Sequence, residues 1–299
     1  MSNVECQMFY VFLFVFGLLV GSFINVVTLR YQPGRKLFDF KILGGRSHCP
    51  ACGQKLNWYE LAPIFSFLIQ KRRCRRCGEK ISWQYPLVEI LSGIIFVAAP
   101  WHFFNLQSIT QLPNYQLPIT IIWILIFLLF LILAVIDFRH YLIPDEINLS
   151  LAILGIILII FQSSIFQSSF LGHYSLLFDF PLLSSLSSSI WLNHIFAVVL
   201  AMLIFGAIIV FTRGKAMGWG DFKLAGALGL VFGWPDVIMV IALSFIVGTI
   251  SVIPLLIKGA KGMKDVVPFG PFLAVAAVLV FSFGFQIVDG YFKLFGIIL

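Results

Sequence analysis

The chain has 299 residues, of which 60% are hydrophobic and only 11% charged, with a formal net charge of +7. Soluble domains carry roughly 25% charged residues, and one globule of this size has no interior large enough for so many apolar side chains. An ordinary soluble enzyme is therefore excluded, and lipid is the solvent that fits.

The first apolar run, Phe9–Leu29, has no Lys or Arg before it and no small-residue cleavage pattern after it, so it reads as a retained span rather than a signal peptide. Further spans are predicted over Pro86–Phe104, Ile119–Phe138, Ile147–Phe161, Asn193–Thr212, Asp221–Phe232, Val237–Ile257 and Pro271–Leu299, which makes eight helices. Between the first two lies the one sizeable polar segment. The predicted architecture is an all-α polytopic membrane protein with three parts: a first transmembrane helix (1–29), a small insert (30–84) and a helical membrane domain (85–299). Gln162–Leu192 mixes Ser with Phe, Leu, Tyr and Trp and suits a loop lying on the outer membrane surface.

Charge placement orients these elements. Of 20 Lys and Arg residues, 12 lie between Arg30 and Lys80. Arg139, Arg213, Lys215, Lys223, Lys258, Lys261 and Lys264 fall in or beside three later loops, and with eight alternating helices only Lys293 lands on the other side. The positive-inside rule makes the basic side the cytoplasm and leaves both termini outside. The positive balance is thus topological and gives no reason to invoke nucleic acid, while the Lys71–Arg76 block suits anionic lipid headgroups.

Within the insert, Cys49-Pro-Ala-Cys52 and Cys74-Arg-Arg-Cys77 are separated by 21 residues. Each Cys-x-x-Cys knuckle brings two thiolates to one tetrahedral ion, and Gly53 and Gly78 stand where a tight turn is wanted. Four sulfurs make a closed structural zinc site with no open position for chemistry. Two disulfides or four unliganded thiols are the alternatives, and a reducing cytoplasm disfavours the disulfides. His48 reads as a bystander, and Cys6 lies outside the pattern.

Carboxylates near membrane helices are costly and informative. Asp137 ends the third apolar run, before Ile143-Pro144-Asp145-Glu146, and Asp221 opens a helix in Gly218-Trp219-Gly220-Asp221-Phe222-Lys223. Both have structural alternatives: Asp221 as a helix N-cap, and Asp137 as the ion-pair partner of Arg139 or Lys223. Both also fall at the same cytoplasmic depth. Two carboxylates sharing one site cannot both ionise comfortably, so one keeps a proton while the other activates water. A cation or proton pathway would use the same residues.

With these segments in order, the chain resembles the type IV prepilin peptidases, membrane enzymes that mature pilins and type II secretion pseudopilins. The resemblance rests on Gly21-Ser22-Phe23-Ile24-Asn25-Val26-Val27, the cysteine tetrad and Ile81-Ser82-Trp83-Gln84-Tyr85-Pro86-Leu87-Val88-Glu89. It continues through the segment ending Pro144-Asp145, Gly218-Trp219-Gly220-Asp221-Phe222-Lys223-Leu224 and Pro268-Phe269-Gly270-Pro271-Phe272. It implies that Asp137 and Asp221 form a catalytic pair, Asp221 within the GxGD motif shared with presenilin-like proteases. The implied substrate is a precursor with a short basic leader, a Gly before the scissile bond, usually Phe after it, and an apolar helix beyond. It further implies N-methylation of the new terminus from S-adenosylmethionine, at the cytoplasmic face of the bacterial inner membrane.

Supporting roles are expected for Gly218, Gly220, Lys223 and Asp145. Lys223 either meets substrate or acts on its neighbouring aspartate, and Asp145 and Glu146 either back the site or cap the next helix. The insert is read as a lid or docking surface for leaders and methyl donor, although residues 30–84 hold no glycine-rich strand-to-helix motif and the donor-binding residues stay unassigned. The Gly229-Leu-Val-Phe-Gly233 spacing reads as helix packing, as does Asn25. The remaining partners are membrane lipid and components of pilus or secretion assembly. A transporter would show paired halves or matched broken helices, which are not seen, and a non-enzymatic scaffold would tolerate loss of both aspartates.

Overall fold

The computed structural model of the protein describes residues 3–37, 39, 44–105, 113–165, 189–259 and 266–294. Among them the chain forms nine α-helices: α1 (Asn3–Arg30), α2 (Phe65–Ile69), α3 (Gln84–Asn105), α4 (Pro113–His140), α5 (Asp145–Ile165), α6 (Ile190–Thr212), α7 (Trp219–Phe232), α8 (Asp236–Ile257) and α9 (Gly270–Leu294). The described β-structure is two isolated bridges, His48–Lys55 and Arg73–Lys80. The fold is all-helical, as its composition demands. Most of the predicted interfacial loop 162–192 lies outside the described residues.

Among the described residues six helices are long and apolar enough to cross a bilayer: Gln7–Arg30, Gln84–Phe103, Leu117–His140, Ile190–Thr212, Asp236–Pro254 and Gly270–Tyr291. The other two predicted spans correspond to α5 and α7. At 14 residues, α7 rises only about 21 Å against about 30 Å of hydrocarbon. Its environment explains the shortness, because every residue from Leu224 to Gly229 is buried. Protein rather than lipid surrounds that stretch.

Internal packing divides the chain into one unit over Met1–Ile132 and a second over Leu133–Leu299. In the first, α1 and α3 run antiparallel. A Cβ on Gly17 would meet the Gly93 Cα at 2.7 Å, one on Gly21 would meet the Glu89 Cα at 2.7 Å, and Asn25 Nδ2 donates to the Tyr85 carbonyl at 3.0 Å. Each four-residue step up one helix is matched by a step down the other. Small residues let the two backbones approach where no hydrophobic effect operates. At the end of α1 the Arg30 guanidinium donates to the carbonyls of Gly44, Gly45 and Arg46, holding the segment that enters the first cysteine knuckle.

The second unit is built around α7, which packs on α6 and α5, while α8 packs on α9. A Cβ on Gly229 would sit 2.7 Å from the Val198 Cα, so the predicted packing role of this glycine follows from contact with α6. Beyond Gly233, whose φ of 72° closes α7, the Asn193 amide exchanges two 2.9 Å hydrogen bonds with the Trp234 backbone. The opposite end of α7 carries Asp221.

Candidate functional site

Asp137 lies one turn before the end of α4, with 4% of its surface exposed. Its Oδ2 accepts a 2.9 Å hydrogen bond from the Gly270 backbone N–H, 133 residues away. That amide stands at the start of α9, where helical N–H groups have no intrahelical acceptor, so the carboxylate satisfies a donor that the fold leaves unpaired. The approach requires glycine: a Cβ at residue 270 would fall 2.7 Å from Asp137 Oδ2 and 2.8 Å from Leu133 Cδ2. The segment Pro268–Pro271 is therefore a corner seated against the carboxylate, packed by the Phe269 ring against Phe245 and Phe205 at centroid distances of 5.1 and 6.0 Å.

Asp221 occupies the first turn of α7, but it is not the N-cap. Gly218 holds the N-cap position, with extended backbone, and its N–H donates to Asp221 Oδ2 at 3.2 Å. The carboxylate reaches back over the first turn, the half of a capping box that a third-position acid supplies. Asp137 and Asp221 lie close enough for their charges to interact. Lys223 does not pair with Asp137: its ammonium sits on both oxygens of Asp145, at 2.8 and 2.9 Å. Asp145 is the first residue of α5, and from the same turn buried Asn148 donates to the Gly220 carbonyl at 3.5 Å. A Cβ on Gly220 would lie 3.2 Å from the Ile143 Cβ. The start of α5 thus clasps the Gly218–Lys223 segment from outside, and Asp145 and Lys223 are partners of one another at the surface. Of this clasp, sequence reasoning missed Ile143 and Asn148.

An apolar cavity of about 390 Å³ has Ile208, Met217, Phe245, Gly248, Phe269 and Phe272 in its lining. Met217 precedes the glycine that bonds Asp221, and Phe269 precedes the one that bonds Asp137.

The cysteine knuckles are near copies of each other. Cys49 N–H donates to Gln54 and Gly53 N–H to Cys49, each at 2.9 Å, and Cys74, Glu79 and Gly78 repeat both bonds at 2.9 Å. Gly53 and Gly78 take φ of 69° and 73°, the left-handed turn that glycine makes without strain. The four sulfurs lie within 4.8 Å of one another, and Cys49 and Cys77 are separated by 3.9 Å. Tetrahedral zinc at about 2.3 Å from each sulfur requires S···S near 3.8 Å, so the donor set fits that ion. All four thiols are free rather than paired in disulfides. The backbone amides of Cys77 and then Arg76 hold the Cys74 thiol down at about 7. His48 stays apart, its Nδ1 3.5 Å from the Arg46 carbonyl.

Family models match in two blocks: a bacterial peptidase A24 N-terminal domain over residues 15–103 and the type IV leader peptidase family over residues 123–253. A protein of Xanthomonas campestris pv. campestris named prepilin leader peptidase/N-methyltransferase is 31% identical, with 94% of this chain and 93% of that protein aligned. Proteins of the same name from Pseudomonas aeruginosa and Dichelobacter nodosus are 30% and 31% identical over 94% of this chain and 92% and 94% of their own lengths. No solved structure matches. With both halves matched in order and such relatives aligned along nearly its whole length, the chain belongs to the type IV leader peptidase family.

Proposed function

We propose that this protein cuts the basic leader from type IV prepilins and type II secretion pseudopilins, after a glycine at the cytoplasmic face of the bacterial inner membrane, and then N-methylates the new terminus. The observation that carries the proteolytic half is the carboxylate pair: Asp137 and Asp221 interact, and each has one oxygen held by a glycine amide. In this reading the second oxygen of each is left for a shared water. One carboxylate takes a proton from the water as it attacks the scissile carbonyl, and the other, protonated, gives its proton to the departing amine. The pair acts as a unit that shares one proton. The apolar cavity beside Gly218 and Gly270 suits the large apolar side chain that follows the cut, while the basic leader stays in the cytoplasm and its apolar helix in lipid. Eight membrane helices, with α5 and α7 completing the bundle, agree with the distribution of basic residues.

Zinc on Cys49, Cys52, Cys74 and Cys77 would hold the insert together, since a segment this small lacks a core of its own. S-adenosylmethionine supplies the methyl group in the second reaction. Among the described residues the insert forms two isolated bridges, a 3-10 turn at Trp58–Glu60 and the short helix α2, with no strand leading into a helix, so no step is routed through a donor pocket there. The test is mass spectrometry of a prepilin precursor incubated in detergent with purified protein and S-adenosylmethionine. Cleavage after the glycine should fall by about 10²–10⁴-fold in Asp137→Asn and in Asp221→Asn, each still folded. Wild-type rates in either variant would overturn the assignment, and an added methyl mass on the new terminus establishes the second activity.

A further inference from the structure

The insert holds 12 basic residues against Asp39, Glu60 and Glu79, an unfavourable surface for a basic leader and a favourable one for anionic lipid. Its position sharpens this reading. The Ile64 backbone N–H donates to Glu89 Oε2 at 2.8 Å. Glu89 lies five residues into α3, about 7.5 Å along that helix. A Cβ on Gly21 would touch the Glu89 Cα, and Gly21 is nine residues, about 13 Å, inside the end of α1 at Arg30. Ile64 and the start of α2 therefore lie beside the membrane-crossing helices, below their cytoplasmic ends.

Backbone that leaves helical form at such depth must have its polar groups satisfied. Ile64, with φ of 60°, has the Glu89 carboxylate. Ser66 donates to Ala62 at 3.0 Å, Leu68 to Ile64 at 3.1 Å and Arg72 to Phe67 at 3.0 Å. The side chains sort by face. Phe67 is buried, its ring 5.1 Å from that of Trp83, over which the Arg72 guanidinium sits at 5.3 Å. Phe65, Leu68 and Ile69, on the other face, are 65%, 64% and 67% exposed. Lys71 and Arg72, both left-handed with φ of 48° and 61°, turn the chain back toward the knuckle, and Lys71 and Arg73 are exposed.

We propose that residues 61–73 form a re-entrant wedge in the cytoplasmic leaflet. Phe65, Leu68 and Ile69 lie among acyl chains, Lys71 and Arg73 meet anionic phosphates, and Glu89 anchors the wedge from α3. This assigns the buried Glu89 carboxylate, which proteolysis does not use, a structural task. The inference rests on the proposed membrane placement of the chain, and the experiment separates the two.

The full chain, zinc-loaded, is reconstituted in nanodiscs of phosphatidylcholine with or without phosphatidylglycerol. A benzophenone amino acid is placed singly at Leu68, at Leu203 on α6 or at Glu79 on the knuckle, and adducts are identified by mass spectrometry. The expected result is lipid adducts from 68 and 203 and none from 79, with the yield at 68 at least about threefold higher when anionic lipid is present. The Lys71→Gln/Arg73→Gln double variant should lose that dependence while keeping the adduct. Lipid adducts at 203 without any at 68 would overturn the wedge and leave the membrane placement intact. Absence of adducts at both positions overturns both. An adduct from 68 to an added prepilin in place of lipid would make this face a substrate surface and overturn the proposal, and equal yield in neutral lipid would remove the basic contacts from it.

Discussion

Gly270→Ala is the smallest change that reaches the proposed reacting groups. The new methyl would sit 2.7 Å from Asp137 Oδ2, 2.8 Å from Leu133 Cδ2 and 3.4 Å from Asp137 Cγ. Comfortable contacts begin near 3.5 Å, so the carboxylate must retreat by about 0.5–1 Å. It also gives up or stretches the 2.9 Å bond from the Gly270 N–H. A hydrogen bond to a charged group contributes about 1.5–3 kcal/mol, and a misplacement of about 1 Å at a reacting group lowers rate by as much as 10²-fold. The expected outcome is a loss of about 30–100-fold in the rate of the cleavage step, read by single-turnover mass spectrometry of a prepilin precursor, with KM nearly unchanged. Overpacking costs about 1–3 kcal/mol of stability, so folding is checked by thermal unfolding alongside. Methylation of a pre-cleaved pilin serves as an internal control and should persist. Cleavage within threefold of wild type would mean that the Gly270–Asp137 contact does not position the carboxylate for catalysis.

Replacing all four tetrad cysteines with Ser should abolish zinc binding, measured by elemental analysis of the purified protein, and abolish methylation while cleavage continues; full methylation would contradict the structural role given to the insert. Zinc needs thiolates, and the Cys74 thiol is held down at about 7. Protons compete with the ion for these sulfurs, so zinc retention on a chelator column should weaken as pH falls. The Lys223–Asp145 pair is exposed, which limits its worth to about 0.2–1 kcal/mol. Lys223→Met should lower unfolding temperature slightly and cleavage only a few-fold, with Asp145→Asn adding nothing further; a loss like that of the aspartate variants would make Lys223 a participant in the chemistry. Gly248→Leu would project into the apolar cavity, where even a Cβ would meet Phe272 Cδ2 at 3.1 Å. Cleavage before Phe should then fall about 10-fold or more, with a smaller fall when Ala follows the cut. Equal loss on both substrates would dissociate the cavity from that side chain.

What could be read in advance was local or chemically rare. Cys49, Cys52, Cys74 and Cys77 announce themselves because a knuckle is encoded within a few residues, down to the left-handed Gly53 and Gly78. Asp137 and Asp221 stand out because a carboxylate in so apolar a chain is costly wherever it lies. The partner of Asp137 gave no such signal: it is a backbone amide, identical in every non-proline residue, and it arrives from 133 residues downstream. Asp221 was legible as a helix-opening acid but not as the residue three places inside the cap, because Gly218 has no side chain to mark it. The wedge was invisible for a different reason. Five residues of α2 are too few to show a helical period, and the exposed face of Phe65, Leu68 and Ile69 emerges only once Phe67 is seen against Trp83. Similarly, α7 reads as a short span until its buried faces show that its surroundings are protein.

The architecture around the two aspartates favours peptide chemistry over ion passage. An ion path through the bundle needs several oxygens facing inward at one depth, and it is commonly marked by helices broken in matched positions. Here Asp137 and Asp221 sit at element ends on one side of their unit, each turned toward an amide donor rather than toward a cage of acceptors. The cavity that takes in Met217 and Phe269, the residues preceding Gly218 and Gly270, is lined by Ile208, three phenylalanines and other mainly apolar residues with Thr249 among them, a poor route for a cation and a good seat for an apolar side chain. Placing the pair at helix ends also resolves a geometric problem of cutting a membrane-anchored substrate. A peptide bond inside an intact helix keeps its carbonyl hydrogen-bonded and shielded, whereas one just beyond the helix end presents a free carbonyl to water. In the proposed mechanism, a leader held in the cytoplasm by its charge and followed by an apolar helix held in lipid would expose such a bond at the ends of α4, α7 and α9, where the carboxylates meet their glycine amides.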